Sequence, residues 1–130
     1  MTADIHQAVH KAITDCLPEY PVYHINAGYD EQNLLIDGKL ACIVYKFDEI
    51  TPDMTMSGPS GLYRVKLQIS ALGKTNEVRY MDEVLIDSLN GRFTIDDVTI
   101  VLIPDMGADI EEADNLVKRI TRIWKGMIEI

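Results

Sequence analysis

A chain of 130 residues fits one domain, 1–130, long enough to bury a core without disulfide or metal staples. Its mixture of 47% hydrophobic and 25% charged residues is that of an ordinary globular protein. With 12 Lys and Arg against 21 Asp and Glu the formal net charge is −9, which excludes the basic footprint of a nucleic-acid grip and lets DNA pass nearby without sticking.

The first predicted element is a helix over residues 3–17. Ile5, Ala8, Val9, Ala12, Ile13, Cys16 and Leu17 recur at helical spacing, and His6, Gln7, His10, Lys11, Thr14 and Asp15 take the other face. Thr2 or Asp4 can cap it, and Pro18 ends it. Met1 leads straight into this amphipathic segment, so no signal peptide is expected. "YPVYHIN" follows as a short strand, and residues 27–40, bracketed by Gly28 and Gly38, as a loop. "LACIVYKFDEI" is a strand whose centre, Ala41 to Tyr45, is apolar on both faces, the pattern of a central strand. Residues 51–61, "TPDMTMSGPSG", combine prolines and glycines and are expected to form a poorly ordered loop. Tyr63, Val65, Leu67, Ile69 and Ala71 then alternate with Arg64, Lys66, Gln68 and Ser70, a strand with one buried and one polar face.

"GKT" makes the next turn, with Thr75 as the expected N-cap of a second helix. Val78, Met81, Val84, Leu85 and Leu89 form its stripe, and Asn90-Gly91 stops it, with Gly91 in the left-handed position. Residues 98–103 read as a strand that Pro104 ends, and "DMGADIEEADN" as an acidic loop. The last segment, "LVKRITRIWKGMIEI", suits a helix through Leu116, Val117, Ile120, Ile123, Trp124 and Met127. Yet Ile120, Trp124, Ile128 and Ile130 also share one strand face, β-branched residues abound, and Gly126 weakens a helix. Periodicity leaves both readings open.

Few constellations carry chemistry. His6 and His10 stand one helical turn apart, a spacing that can chelate a metal, but no third ligand accompanies them. The acidic stretch Asp105, Asp109, Glu111, Glu112 and Asp114 lacks the ordered spacing of a calcium loop and reads as a solvated charged loop. Nucleophile elbows, P-loops and dinucleotide fingerprints are absent. Ser57 and Ser60 fall in the 51–61 loop, and His24 is a strand histidine that nothing orients as a base. Cys16 and Cys42, without CxxC spacing, read as small buried hydrophobes. Trp124 and Tyr63 suit a core or an interface. No apolar run reaches the length of a membrane span, so the chain is expected to be made and used in cytoplasm.

As an ordered set these pieces resemble the phage tail completion family, the small tail-terminator or head-to-tail joining proteins of long-tailed phages and prophages. The resemblance runs over most of the chain. An amphipathic helix leads to "LPEYPVYHI" and "ACIVYKF", then through a Gly/Pro loop to the most specific stretch, "LYRVKLQISALGKTNEVRYMDEVLIDSLNG". In the family that stretch is an Arg-bearing strand, a short turn and a helix. "VKRITRIWKGMIEI" resembles the family's closing strand, which tips the last segment to strand. The acidic stretch and the terminal "MIEI" depart from the family pattern.

The resemblance implies an α+β fold, with an antiparallel or mixed sheet of about four to five strands and two main helices packed on one face. It implies a structural virion protein without enzymatic activity or cofactor, assembled in the host bacterial cytoplasm. Such proteins form rings, usually hexameric, that cap the head-proximal end of the tail tube, stop its polymerisation and meet the head connector. The expected partners are therefore further copies of itself, the tail-tube protein and the connector protein, with no membrane and no specific DNA binding. The alternatives are a connector-side adaptor, a tail-tube subunit or, in a different class, a small metal-assisted hydrolase using residues 105–114.

Within the ring reading, a closed ring needs one patch to meet a different patch on the next subunit. Arg64, Lys66, Arg119, Arg122 and Lys125 are expected to meet acids of a neighbour, namely Asp105, Asp109, Glu111, Glu112 and Asp114. Met54 and Met56 are expected to offer an adaptable contact to the tail tube. Asp30, Glu31, Asp37, Asp48, Glu49 and Asp53 are expected to line an acidic bore.

Overall fold

The computed structural model describes residues 2–24, 41–55, 58–107, 110–114 and 117–129. The helical repeat near the N-terminus forms helix α1 (Thr2–Cys16), which buries Ile5, Ala8, Val9, Ala12 and Ile13. The second repeat forms helix α2 (Thr75–Leu89), which buries Val78, Met81, Asp82, Leu85 and Leu89. Lys74, not Thr75, stands at its N-cap. The Lys74 N–H donates to Glu77 at 3.3 Å, and the Val78 N–H donates to the Lys74 carbonyl at 2.9 Å. Gly91 follows the helix at φ +116°, a conformation that L side chains rarely adopt, and turns the chain into the next strand.

Seven strands form one mixed sheet among the described residues: β1 (Val22–His24), β2 (Cys42–Thr55), β3 (Gly58–Gly73), β4 (Gly91–Ile95), β5 (Val98–Pro104), β6 (Ile110–Asp114) and β7 (Val117–Glu129). Six of them run in the order β1-β2-β3-β7-β5-β4, and β6 pairs with β7. Only β1–β2 is parallel. The fold is α+β with two helices, as expected, and β7 settles the ambiguous last segment as a strand. Both β5 and β6 lie on the same side of β7. β5 pairs with its last six residues and β6 with its first four, and a break at residues 105–109 separates them.

Three expectations are corrected. Residues 51–55 and 58–61 are not a loop but the ends of β2 and β3, paired as Pro52↔Tyr63, Met54↔Pro59 and Thr55↔Gly58. Proline is tolerated there because, among the described residues, β1 covers β2 only at Ile43–Tyr45, and Pro52 borders a register shift. The acidic stretch is not all loop either. Ile110 packs against the core and Ile110–Asp114 is strand β6, in a register that sets Glu111 opposite Arg119 and Glu112 opposite Lys118. Finally, residues 91–103 hold two strands rather than one, joined at Asp96 and Asp97.

The core lies between the sheet and the helices. Tyr63, Val65, Leu67, Ile69 and Ala71 of β3 meet Ile120, Trp124 and Ile128 of β7 and Ile100 and Leu102 of β5. Trp124 is fully buried, and a row across four strands, Phe47–Leu67–Trp124–Pro104, runs beneath the helices. Cys42, Val44 and Leu72 are buried apart from this cluster, on the opposite face. Both cysteines are free, and burial pushes the half-buried Cys16 thiol up.

Helix α1 touches both ends of the strand order, β1 and β4, as well as α2. Six strands span about 24 Å, and a helix of α1's 15 residues is about 22 Å long, so α1 can reach both ends by lying across the strands. None of the described helices is long and apolar enough to cross a membrane.

Asp96 and Asp97 make the two-residue turn between β4 and β5 with φ 49° and 66°. Left-handed φ at both positions matches the twist of a hairpin but costs an L side chain about 1 kcal/mol. Asp96 is also held by Lys11 of α1 at 3.1 Å. Asp97→Gly, which leaves that contact in place, is expected to raise stability by about 1 kcal/mol. A shifted urea midpoint at constant slope would show it, and no shift would count against backbone strain here.

Candidate functional site

Strand alternation sends half of each strand's side chains away from the helices. On this outer face Arg64 and Lys66 of β3 stand beside Lys125 and Met127 of β7, and Ile103 of β5 stands beside Lys125. Glu49 of β2 is opposite Lys66. One row across four strands therefore reads Glu49, Lys66, Lys125, Ile103. A groove of about 850 Å³ opens here, walled by Ile103, Ile123 and Met127 and by the three basic side chains.

The groove's electrostatics are unbalanced. Lys66 and Lys125 are directly opposed on neighbouring strands, and like charges in that position repel. Neither has an ion-pair partner among the described residues. Arg64 reaches Asp53 at 3.4 Å, and Lys46 reaches Asp48 at 3.6 Å. Asp48 also accepts from Gln68 Nε2 at 2.8 Å. Ile103 is 63% exposed at the edge of the same groove.

The expected interface and bore residues are thereby rearranged. Arg64, Lys66 and Lys125 do come together, but Glu49, expected in a bore, lies in the same groove, and Asp48 and Asp53 bond its β3 neighbours. Asp48, Glu49 and Asp53, expected in a bore, thus lie with Arg64, Lys66 and Lys125 on one face. Register sets Arg119 opposite Glu111 on the paired strands β6 and β7. The residues Asp30, Glu31, Asp37, Met56 and Asp109 lie outside the described residues, as do the side chains of Met54, Glu111, Glu112 and Asp114.

Arg122 is the clear correction. It is in phase with Ile120 and Trp124 on the helix side of β7 and is only 8% exposed. Its Nε donates to Asp82 Oδ1 at 2.7 Å and its Nη2 to Asp82 Oδ2 at 2.8 Å. Its Nη1 donates to the Asp105 carbonyl at 2.8 Å, at the break between β5 and β6. The hydrogen bonds to Asp82 raise the guanidinium's pKa above its ordinary value against the cost of burial. Arg122 ties α2, β7 and the break together, and its burial keeps it from meeting a neighbour. Asp82 was missed in the sequence. Its signal is a lone acid among the buried positions of α2.

The histidines form a separate cluster under α1. The His6 ring meets Phe47 at 4.6 Å and His24 at 4.8 Å between centroids. His10 Nδ1 lies 3.1 Å from the Tyr45 hydroxyl, whose pKa burial pushes up. Among the described residues no group of three or more His, Cys, Asp or Glu is placed to hold a metal ion. Burial first, and the charge of His24 second, lower the His6 pKa from 6.5. The unfolded chain therefore takes up the His6 proton first as pH falls, and this contribution to stability, full above about pH 6.5, is lost below it. His6→Phe should lose less stability than the parent between about pH 7.5 and pH 5. Equal acid sensitivity in urea titrations of both would refute it.

No family model matches the chain, and no curated protein matches it.

Proposed function

We propose that this chain is a structural subunit of a long-tailed phage or prophage virion. In this reading it forms a ring, six-fold by the resemblance, that caps the head-proximal end of the tail tube. The ring stops tube polymerisation and presents a surface to the head connector. The outer sheet groove carries the proposal. It sets exposed Ile103 and the half-buried Ile123 and Met127 beside two lysines without an ion-pair partner among the described residues, on a face the helices leave open, and such a mix of apolar and unneutralised basic groups suits an assembly surface. The ordered resemblance from Arg64 to Gly91 supplies the kind of assembly. The acid excess suits a ring through which DNA passes unheld, because few phosphates could be neutralised there.

The test is electron microscopy of the purified chain mixed with growing tail tubes. A terminator caps one end of each tube and shortens the length distribution. Self-polymerisation into tubes would instead identify a tube subunit, and binding to connectors alone an adaptor. Indifference to all three would reject the proposal. A low-salt titration with duplex DNA should show no tight binding; tight binding lost on neutralising Arg64, Lys66 and Lys125 together would replace the passive conduit with a DNA grip.

A further inference from the structure

We infer that the outer sheet groove is filled by the paired tyrosines Tyr20 and Tyr80 of a second copy of this chain. The inference rests on the ring reading above and deepens it by naming both halves of the contact.

The tyrosines form a knob on the helix layer. Tyr80 sits on α2 opposite its buried stripe and is 49% exposed. Tyr20, just past α1, places its ring 6.5 Å from that of Tyr80. Acids surround them. Glu77 and Glu19 lie close enough to Tyr20 to push its phenol pKa up, after burial, and Glu83 and Asp87 share the outward face of α2 with Tyr80. Lys74 and Arg79 are the bases of the same helix, so acids exceed bases on this surface by four to two.

The groove is the knob's complement. In a chain with 21 acids and 12 bases, three bases line the groove against two acids, Glu49 and Asp105. The Asp105 carboxylate is already occupied by the Gly107 N–H at 2.9 Å. The volume lies within the roughly 300–1,000 Å³ that takes a drug-sized molecule, enough for aromatic side chains. Ile103, Ile123 and Met127 offer apolar walls, and a lysine above a phenol ring gains cation–π attraction. A phosphate backbone would leave those apolar walls unfilled. Tyrosine in a desolvated pocket is a typical energetic anchor of an interface.

Geometry then fixes the symmetry. The knob lies beyond the helices and the groove on the far side of the sheet, so the two cannot meet within one molecule. Each copy offers its knob to one neighbour and its groove to another, which is a head-to-tail contact that closes into a ring or runs on as a filament.

The experiment uses the full chain and light scattering after size exclusion, at high protein concentration and low salt. Tyr80→Ala removes the knob and Lys125→Glu spoils the groove; both positions are exposed, and circular dichroism confirms folding. Wild type should be oligomeric and each variant monomeric. An equimolar mixture should give a one-to-one heterodimer and nothing larger, because one intact knob and one intact groove remain. A wild type larger than a dimer separates this head-to-tail contact from a two-fold one, which stops at two copies. Monomeric wild type, variants that assemble like wild type, or a mixture that stays monomeric would each overturn the inference. Failure to cap tubes with knob–groove pairing intact would reject the terminator reading alone. Capping by rings that both variants still form would reject the pairing alone.

Discussion

Asp82→Ala is expected to cost about 3–5 kcal/mol, because it strands the Arg122 guanidinium in a buried site with one carbonyl for company. The pair is bidentate, at 2.7 and 2.8 Å, and both residues are 8% exposed. Water cannot easily replace the lost carboxylate. A domain of this kind is stable by only about 5–15 kcal/mol, so the loss is a large share of the total. The double replacement Asp82→Leu with Arg122→Met should cost less than Asp82→Ala alone, since it removes both charges together. Urea unfolding of the three variants reads the comparison directly. A single variant within about 1 kcal/mol of the parent would mean that Arg122 finds another partner.

Gly126→Ala is expected to be comparably damaging for a different reason. A Cβ at Gly126 would lie 1.7 Å from the Val101 carbonyl oxygen and 2.8 Å from its carbon. Those atoms are backbone of β5, not the end of a flexible side chain. The β5 strand must move, and the Leu102↔Gly126 pairing with it. We expect a cost at or above the top of the roughly 1–3 kcal/mol of ordinary overpacking. Gly107→Ala is the matched control, because its Cβ would meet only the Asp105 carboxylate, at 3.3 Å. Equal stability of the two variants would remove Gly126 as a packing constraint.

What could be read from the sequence follows from which contacts are local. The alternation of β3 and the stripes of α1 and α2 were legible because each buries one side against a single core. The end of the β2–β3 hairpin was not. Pro52, Gly58, Pro59 and Gly61 are breakers in isolation, and only the edge position of β2 and its register shifts make them tolerable. Strand β6 was hidden because Ile110 is its only large apolar residue and its pairing depends on β7. Asp82 is a single charge among the buried positions of α2, and Arg122 a single charge among those of β7. Neither could be matched to the other without knowing that α2 lies over β7. The groove required the register as well: Arg64, Lys66 and Lys125 were named from sequence, but Ile103 and Glu49 join them only through pairings of β5 with β7 and β2 with β3.

The position of β7 has a consequence for how the chain is made. It is the last of the described strands in sequence, yet it stands between β3 and β5, and among the described residues no other pairing joins β1-β2-β3 to β5-β4. A nascent chain that has not yet released Val117 from the ribosome holds two half-sheets with no seam between them. The inner edges of β3 and β5, which β7 later covers, are open templates for a neighbouring polypeptide during that interval. The sheet cannot close until Val117–Glu129 has emerged, so folding waits for β7 and the hazard of mispairing lasts until it arrives.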